Sequence, residues 1–195
     1  MNAKKYEEKE YPVGILWNMG NHYAREIMLE IAKMREVIQV REMNLGNEYN
    51  KFVLDCYKND SEAQEDGYIY EKIKNMKSDN KRVVAFVLQI DNPTFKRDES
   101  GKIQCIEARK IKQKIRDEYS KKIEGYFFDN IIHISDNVEE SRHILDVLNQ
   151  YEKYMTADYV RKGYSAVIGK VKNNSCNSSY IKLLKELKGD DEIER

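Results

Sequence analysis

The chain of 195 residues is poor in residues that break or staple structure, with two prolines, nine glycines and three cysteines. So few breakers, and no repeat or low-complexity tract, exclude a collagen-like, linker-rich or solenoid chain and predict mostly regular structure. Cys56, Cys105 and Cys176 lie far apart in no ligand-like spacing, and the odd count argues against a disulfide framework, so a reducing, cytoplasmic setting is expected. No run of about eighteen apolar residues occurs, and the charged opening MNAKKYEEKEYPVGILW lacks the apolar centre of a signal sequence, so neither a membrane span nor export is expected. Charge of one sign is missing too. The 34 basic and 34 acidic side chains cancel, so no global field recruits nucleic acid or an anionic membrane, and any anion site must be local. Neither a GxxxxGK(S/T) nor a GxGxxG pattern is present, which removes a P-loop or Rossmann site, and three histidines and three cysteines away from ligand spacing give no zinc site.

What is present alternates between short apolar runs and helical stripes. Tyr11 to Trp17 reads as a first strand, Tyr23 to Met34 as a helix with Ala24, Ile27, Met28 and Ile31 on one side, and Val37 to Val40 as a second strand. Leu45 to Tyr57 is a helical stripe, Asn59 to Gly67 an acidic surface loop, and Tyr70 to Met76 a further helix. Arg82 to Ile90 (RVVAFVLQI) is a fully buried strand by its β-rich, nearly uninterrupted apolar run. Asn92 to Lys102 combines Pro, Gly, Ser and charge and reads as a solvent-facing loop, the kind that also serves as a lid. Ile103 to Ile123 reads as a helix with Ile111, Ile115 and Tyr119 toward the core and Arg109, Lys110, Lys112, Lys114 and Arg116 making one flank positive. Tyr126 to His133 is the last strand and Asn137 to Tyr151 the last long helix. The expected fold is therefore α/β, a single sheet of about four strands covered by helices, over residues 1–155.

Residues 156–195 form an expected C-terminal extension, mostly helical, with a basic aromatic stretch, a polar linker, a short helix at Tyr180 to Leu187 and a disordered acidic end. Over the stretch Tyr151 to Leu183, basic residues interleaved with Tyr151, Tyr154, Tyr159, Tyr164 and Tyr180 are able to clamp a phosphate backbone and stack on bases. Tyrosines so placed more often pack a tail onto the domain or a neighbouring subunit, so the extension leaves both nucleic acid and a homo-oligomer open.

The segment carrying chemistry is Asp129 to Glu140 (DNIIHISDNVEE). His133 falls where a strand's carboxyl end meets a helix start, and Ser135, Asp136 and Asn137 are all helix-capping residues. Asp136 and Glu139 have the spacing of a capping pair. That edge of a layered α/β fold is where ligands bind, a helix start favours phosphate, and an imidazole there can act as nucleophile or acid/base near neutral pH. A second reading makes His133 the satisfied end of a core strand and the following residues a cap alone. His22, in the turn after the first strand, can face the same edge, although a lone histidine there is more often a surface residue. Asp91, Asn92 and Asp136 would hold magnesium if the strand ends converge, while turn formation already explains the first two.

NIIHISDNVEES resembles the signature of nucleoside diphosphate kinases, in which a strand delivers a histidine followed by a small residue, Ser-Asp and an acidic helix start. KIRDEY (Lys114 to Tyr119) is similar to the family's segment with a phosphate-binding arginine, RVVAFVLQI stands in place of its central strand, and GILWNMGNHYAREIMLEIAK resembles its first strand and helix. The resemblance spans most of residues 12 to 150 and implies a ferredoxin-like sheet. It implies His133 as the phosphorylated nucleophile, Arg116 as phosphate clamp, Asn130 touching nucleotide and Ser135 supporting the histidine, with a nucleoside triphosphate and magnesium, the latter at Asp136. The chain departs from the family at four places. Trp17 replaces a lysine, Ile134 replaces the glycine after the histidine, and the glutamate that orients the histidine falls by register at Ile144, beside His143. The long helix replaces a glycine- and proline-containing loop. Lys110 or Lys114 on the basic flank would then stand in for the lost lysine.

These departures argue against ordinary nucleoside diphosphate kinase activity. The leading expectation is a divergent phosphotransferase acting on a nucleotide or phosphorylated small metabolite through His133. The alternatives are a non-catalytic binding or assembly module, and a transferase using a nucleotide-activated donor with His133 as general base.

Overall fold

Strict alternation along the long apolar strand at Arg82–Asp91 sets the architecture. Val83, Ala85 and Val87 turn to one side of the sheet, and Val84, Phe86, Leu88 and Ile90 to the other. A strand buried on both faces needs helices on both faces. The computed structural model describes residues 8–60, 67–76, 80–127 and 129–160. In chain order the elements are β1 (Lys9–Glu10), β2 (Val13–Leu16), α1 (Ala24–Met34), β3 (Glu36–Asn44), α2 (Tyr49–Cys56), α3 (Tyr68–Asn75) and β4 (Arg82–Asp91). They continue with β5 (Phe95–Arg97), β6 (Ile103–Cys105), α4 (Ile106–Tyr119), β7 (Ile132–Ile134), α5 (Val138–Gln150) and β8 (Met155–Val160).

The main sheet is antiparallel with the order β7-β2-β4-β3-β8. Four neighbouring members, β7, β2, β4 and β3, make the ferredoxin-like arrangement expected from the sequence. Two additions take it beyond four strands. β8 pairs with β3, so the sheet continues through Val160, past the boundary drawn at residue 155. β1 pairs with Ile90 and Asp91 in the same register that β2 keeps with β4, so β1 and β2 form one strand interrupted at Tyr11 and Pro12. Proline has no N–H to give to the ladder, although its carbonyl still accepts from Leu88 N at 2.9 Å.

Helices α1 and α4 pack on the face carrying Leu16, Phe86 and Leu88 through Ile27, Ile31, Ile111 and Ile115. Helices α2, α3 and α5 cover the opposite face, with Val13, Ile15 and Trp17 meeting Phe52, Ile69, Ile144 and Leu148. Gly14 permits the tight cross-strand fit. A Cβ there would lie 2.1 Å from the Phe86 ring on the facing strand. Among the described residues, no helix is long and apolar enough to cross a membrane.

The reading of Asn92 to Lys102 as a solvent-facing loop, and of Ile103 as a helix start, gives way to the β5–β6 hairpin. Composition hid an ordered turn in which Asp98 Oδ1 accepts from Ser100 N at 3.0 Å and Lys102 N at 2.9 Å, with Gly101 at φ +87°. Helix α4 begins three residues later than expected. Most of the acidic Asn59–Gly67 loop and everything expected of residues 161–195 lie outside the described residues.

Candidate active site

His133 occupies the middle of β7 directly opposite Ile15 of β2. Ile132 and Ile134 point to the α1/α4 face, so alternation sends the imidazole to the other face, toward the ends of α2, α3 and α5. There its ring meets Tyr57 edge-on at a centroid distance of 5.2 Å, and Tyr57 stacks on Trp17 at 5.9 Å. Trp17, which stands where the resemblance has a lysine, is wholly buried and forms an aromatic floor under the histidine.

The carboxylate partner of His133 comes from α5. His133 Nε2 donates to Glu140 Oε1 at 3.1 Å, and Glu140 Oε2 accepts from Asp136 N at 2.6 Å. Register placed an orienting glutamate at Ile144, which is a core residue. Glu140, one turn earlier, is the carboxylate that reaches the imidazole. The cap is also one residue further on than the Asp136–Glu139 pair expected from the sequence, since Asn137 Oδ1 accepts from Glu140 N at 3.0 Å. That shift turns the Glu140 side chain back toward β7. Burial alone would raise the Glu140 carboxyl, but His133, Lys102 and the Asp136 N–H outweigh it and hold the group down at about 2. Burial pushes the His133 imidazole below its ordinary range, with Glu140 opposing. A carboxylate only accepts, so Nε2 carries the ring proton and Nδ1 carries the lone pair. Nδ1 has no hydrogen-bond partner among the described residues.

His133 and Arg116 line one cavity of about 470 Å³. Lys72, Lys102, Arg109 and Lys112 join them there. Arg116 donates from Nη2 to Ile132 O at 3.1 Å and pairs through Nη1 with Asp129 Oδ2 at 2.8 Å, while its buried Nε has no partner. Asp129 holds that position with φ +60°, a left-handed conformation that aspartate tolerates. Lys112 lies in the buried stripe of α4 and donates to Asp136 Oδ1 at 2.7 Å and Ile134 O at 3.2 Å. The β5–β6 turn brings Lys102 to Asp136 Oδ2 at 3.0 Å. Asn137 Nδ2 donates to Ile103 O at 3.1 Å and Cys105 N to Asp136 O, docking the hairpin against the helix start.

Other expectations land elsewhere. Lys110 and Lys114 lie on the outer flank of α4, Lys114 facing Glu30 at 3.8 Å, so neither replaces the missing lysine. The cations lining the cavity come from three elements: Lys72 on α3, Lys102 on the hairpin, and Arg109, Lys112 and Arg116 on α4. Ser135 is fully buried, with Oγ accepting from Val13 N at 2.9 Å and bonded to Ser141 Oγ at 2.7 Å, so it fixes the end of β7. Asn130 is also fully buried, outside the cavity lining, and both its amide atoms lack partners. His22 packs edge-on against Tyr23, on the rim of a different groove.

Asp136 does not fit the magnesium expectation. Each of its carboxylate oxygens is engaged by a lysine ammonium, and Asp91 pairs with Lys9 at 3.0 Å instead of converging on it. Among the described residues no group of three or more His, Cys, Asp or Glu side chains is placed to hold a metal ion.

Tyr57, Lys72, Lys102 and Glu140 were not singled out from sequence. Lys72 carried the clearest signal: it sits in the apolar stripe of its helix, between Ile69 and Met76, where a lysine has no packing reason to be.

No protein-family model matches the chain, and no curated protein sequence does. Among solved structures, nucleoside-diphosphate kinase from Borrelia burgdorferi, a transition-state mimic with bound vanadate and ADP, is similar at 10% identity and a TM-score of 0.47, over 79% of this chain and 94% of that chain. The ferredoxin-like arrangement is given by this chain's own strand order and register.

Proposed function

We propose that this protein is a phosphotransferase in which His133 carries the phosphoryl group and the substrate is a nucleotide or a phosphorylated small metabolite. The observation carrying this reading is the imidazole itself. Its Nε2–H is anchored on Glu140 at 3.1 Å, which leaves the Nδ1 lone pair on a ring that lines the same cation-rich cavity as Arg116. Nδ1 attacks the terminal phosphorus, the N–P bond forms as the P–O bond to the leaving group breaks, and the leaving oxygen keeps the electron pair. Glu140 offsets the positive charge that develops on the ring, as a carboxylate behind a catalytic histidine does. In the second half an acceptor oxygen attacks phosphorus as the N–P bond breaks and its electron pair returns to Nδ1, a hydroxyl acceptor giving up its proton to solvent. Phosphoryl transfer asks mainly for positioning and charge neutralisation, and the cavity's basic side chains supply the latter. Incubation with γ-labelled ATP, followed by acid treatment, tests the covalent step. Acid-labile label on the wild type, absent in His133→Ala, is the expected result.

The same dyad supports a second reading. Burial favours a neutral His133, which is the form a general base requires. Nucleotide binding with no acid-labile label, together with a rate that falls in His133→Ala, selects this reading over the covalent one.

A further inference from the structure

Lys72 is the unusual cation of the cavity. It is 2% exposed, and its ammonium donates to Tyr57 Oη at 2.8 Å and lies 4.6 Å from the centre of that ring. Lys102, Lys112 and Arg116 each hold a carboxylate, and Arg109, at the exposed rim, donates to Gln104 Oε1 at 2.8 Å. Among the described residues no carboxylate lies within ion-pair distance of Lys72. Burying an ammonium without a counter-ion is among the least favourable arrangements a fold can carry, and such an amine gives up its proton unless an anion completes it. A second incomplete donor, Arg116 Nε, is buried on another residue lining the same cavity.

Resting on the phosphotransferase reading above, we infer that Lys72 is the docking cation for a phosphate group of the substrate, and that this cavity takes its phosphorylated ligand without a bridging magnesium ion. The groups facing Lys72 make the case. Tyr57 at the end of α2 and Tyr68 on α3 present rings and hydroxyls, Lys112 and Arg116 on α4 present like charge, and Asp60 and Asp129 supply only distant opposite charge. Neighbours of this kind leave one strong anion site open. A phosphate dianion satisfies the ammonium and reaches the guanidinium, and these two cations take over the neutralising role of a metal that Asp136, already engaged by two lysines, is not free to bind.

Docking also changes the protonation of the amine. Burial first, and Arg116 second, bring Lys72 down to about 7. An arriving dianion restores the ordinary lysine range, so the complex takes up a proton. At pH 8 most of the free amines are uncharged, so the uptake is a large fraction of one proton per site.

Calorimetric titration with ADP and with glycerol 3-phosphate, both fully ionised at pH 8, tests this in two buffers of different ionisation enthalpy, with EDTA and then with magnesium. The expected result is binding of at least one probe in EDTA with the stated proton uptake. A loss of affinity of about tenfold or more is expected in Lys72→Met, with Lys114→Met on the outer flank of α4 unchanged. The proton count uses the unaltered protein and does not depend on the variant folding. Binding only with magnesium, no proton uptake, or full affinity in a folded Lys72→Met overturns the inference while leaving the phosphotransferase reading in place. No binding of either probe under either condition overturns both.

Discussion

Replacing Lys72 by methionine is expected to stabilise the protein. Methionine keeps the length and the apolar stem and removes the buried charge. At pH 7 the depression of the amine from 10.5 to about 7 corresponds to roughly 4 kcal/mol against the native state. The ammonium gains back about 2 kcal/mol from its charged hydrogen bond to Tyr57 and its contact with the Tyr57 ring. The balance is a gain of about 2 kcal/mol for Lys72→Met, or about 4–8 °C in Tm for a domain of this size. The pH dependence gives the sharper test. Below pH 7 both folded and unfolded lysines are protonated and the full penalty applies. Between pH 7 and 10.5 the unfolded chain binds the extra proton, so wild-type stability rises with pH. The advantage of the variant should therefore shrink by about 2–3 kcal/mol between pH 6 and pH 9, as read from urea melts at each pH. A variant that is less stable than wild type at pH 6, or an advantage that does not change with pH, would refute the reasoning and make Lys72 a structural cation.

Glu140→Gln keeps a hydrogen-bond acceptor but removes the charge behind His133, and phosphoryl transfer should fall by about 100-fold in single-turnover rate while ligand affinity stays near wild type. The same substitution should flatten the acid limb of stability. The Glu140 contribution is present above the unfolded value of 4.5 and is lost as pH falls through about 2, so acid titrations of wild type and variant should converge toward pH 2. Gly14→Ala places a Cβ 2.1 Å from the Phe86 ring and should destabilise by about 3 kcal/mol in urea melts, with most of the loss recovered in a Gly14→Ala, Phe86→Leu pair. Ser135→Ala leaves Val13 N without its side-chain acceptor and should destabilise by about 1–3 kcal/mol, measured by thermal denaturation.

The sheet was legible because its strands announce themselves locally. RVVAFVLQI needs no distant partner to be recognised, and the His133 junction is a strand followed directly by a capped helix. Arg116 was legible for a similar reason, being on the basic side of a helix with a clear core stripe. Sequence points to Lys110 and Lys114, which lie outside the cavity lining, because it reads the flank by charge and not by angle. Lys112 falls among Ala108, Ile115 and Tyr119, so it is the lysine turned inward. Tyr57, Lys72 and Lys102 escaped because their meeting depends on where α2, α3 and a hairpin end in space, which no spacing along the chain encodes. Glu140 escaped because shifting the cap by one residue rotates every side chain of the first turn by about 100°.

Trp17 is the chain's one tryptophan. Because it stacks on Tyr57, and Tyr57 touches both the His133 ring and the Lys72 ammonium, the indole is an optical reporter already wired to the cavity. Indole emission, excited to the red of the tyrosine absorption band, therefore arises from a single known position two ring contacts from the proposed chemistry. Whatever fills the cavity and moves Tyr57 writes itself into that signal, so a library of phosphorylated metabolites can be screened by fluorescence alone before any substrate is known.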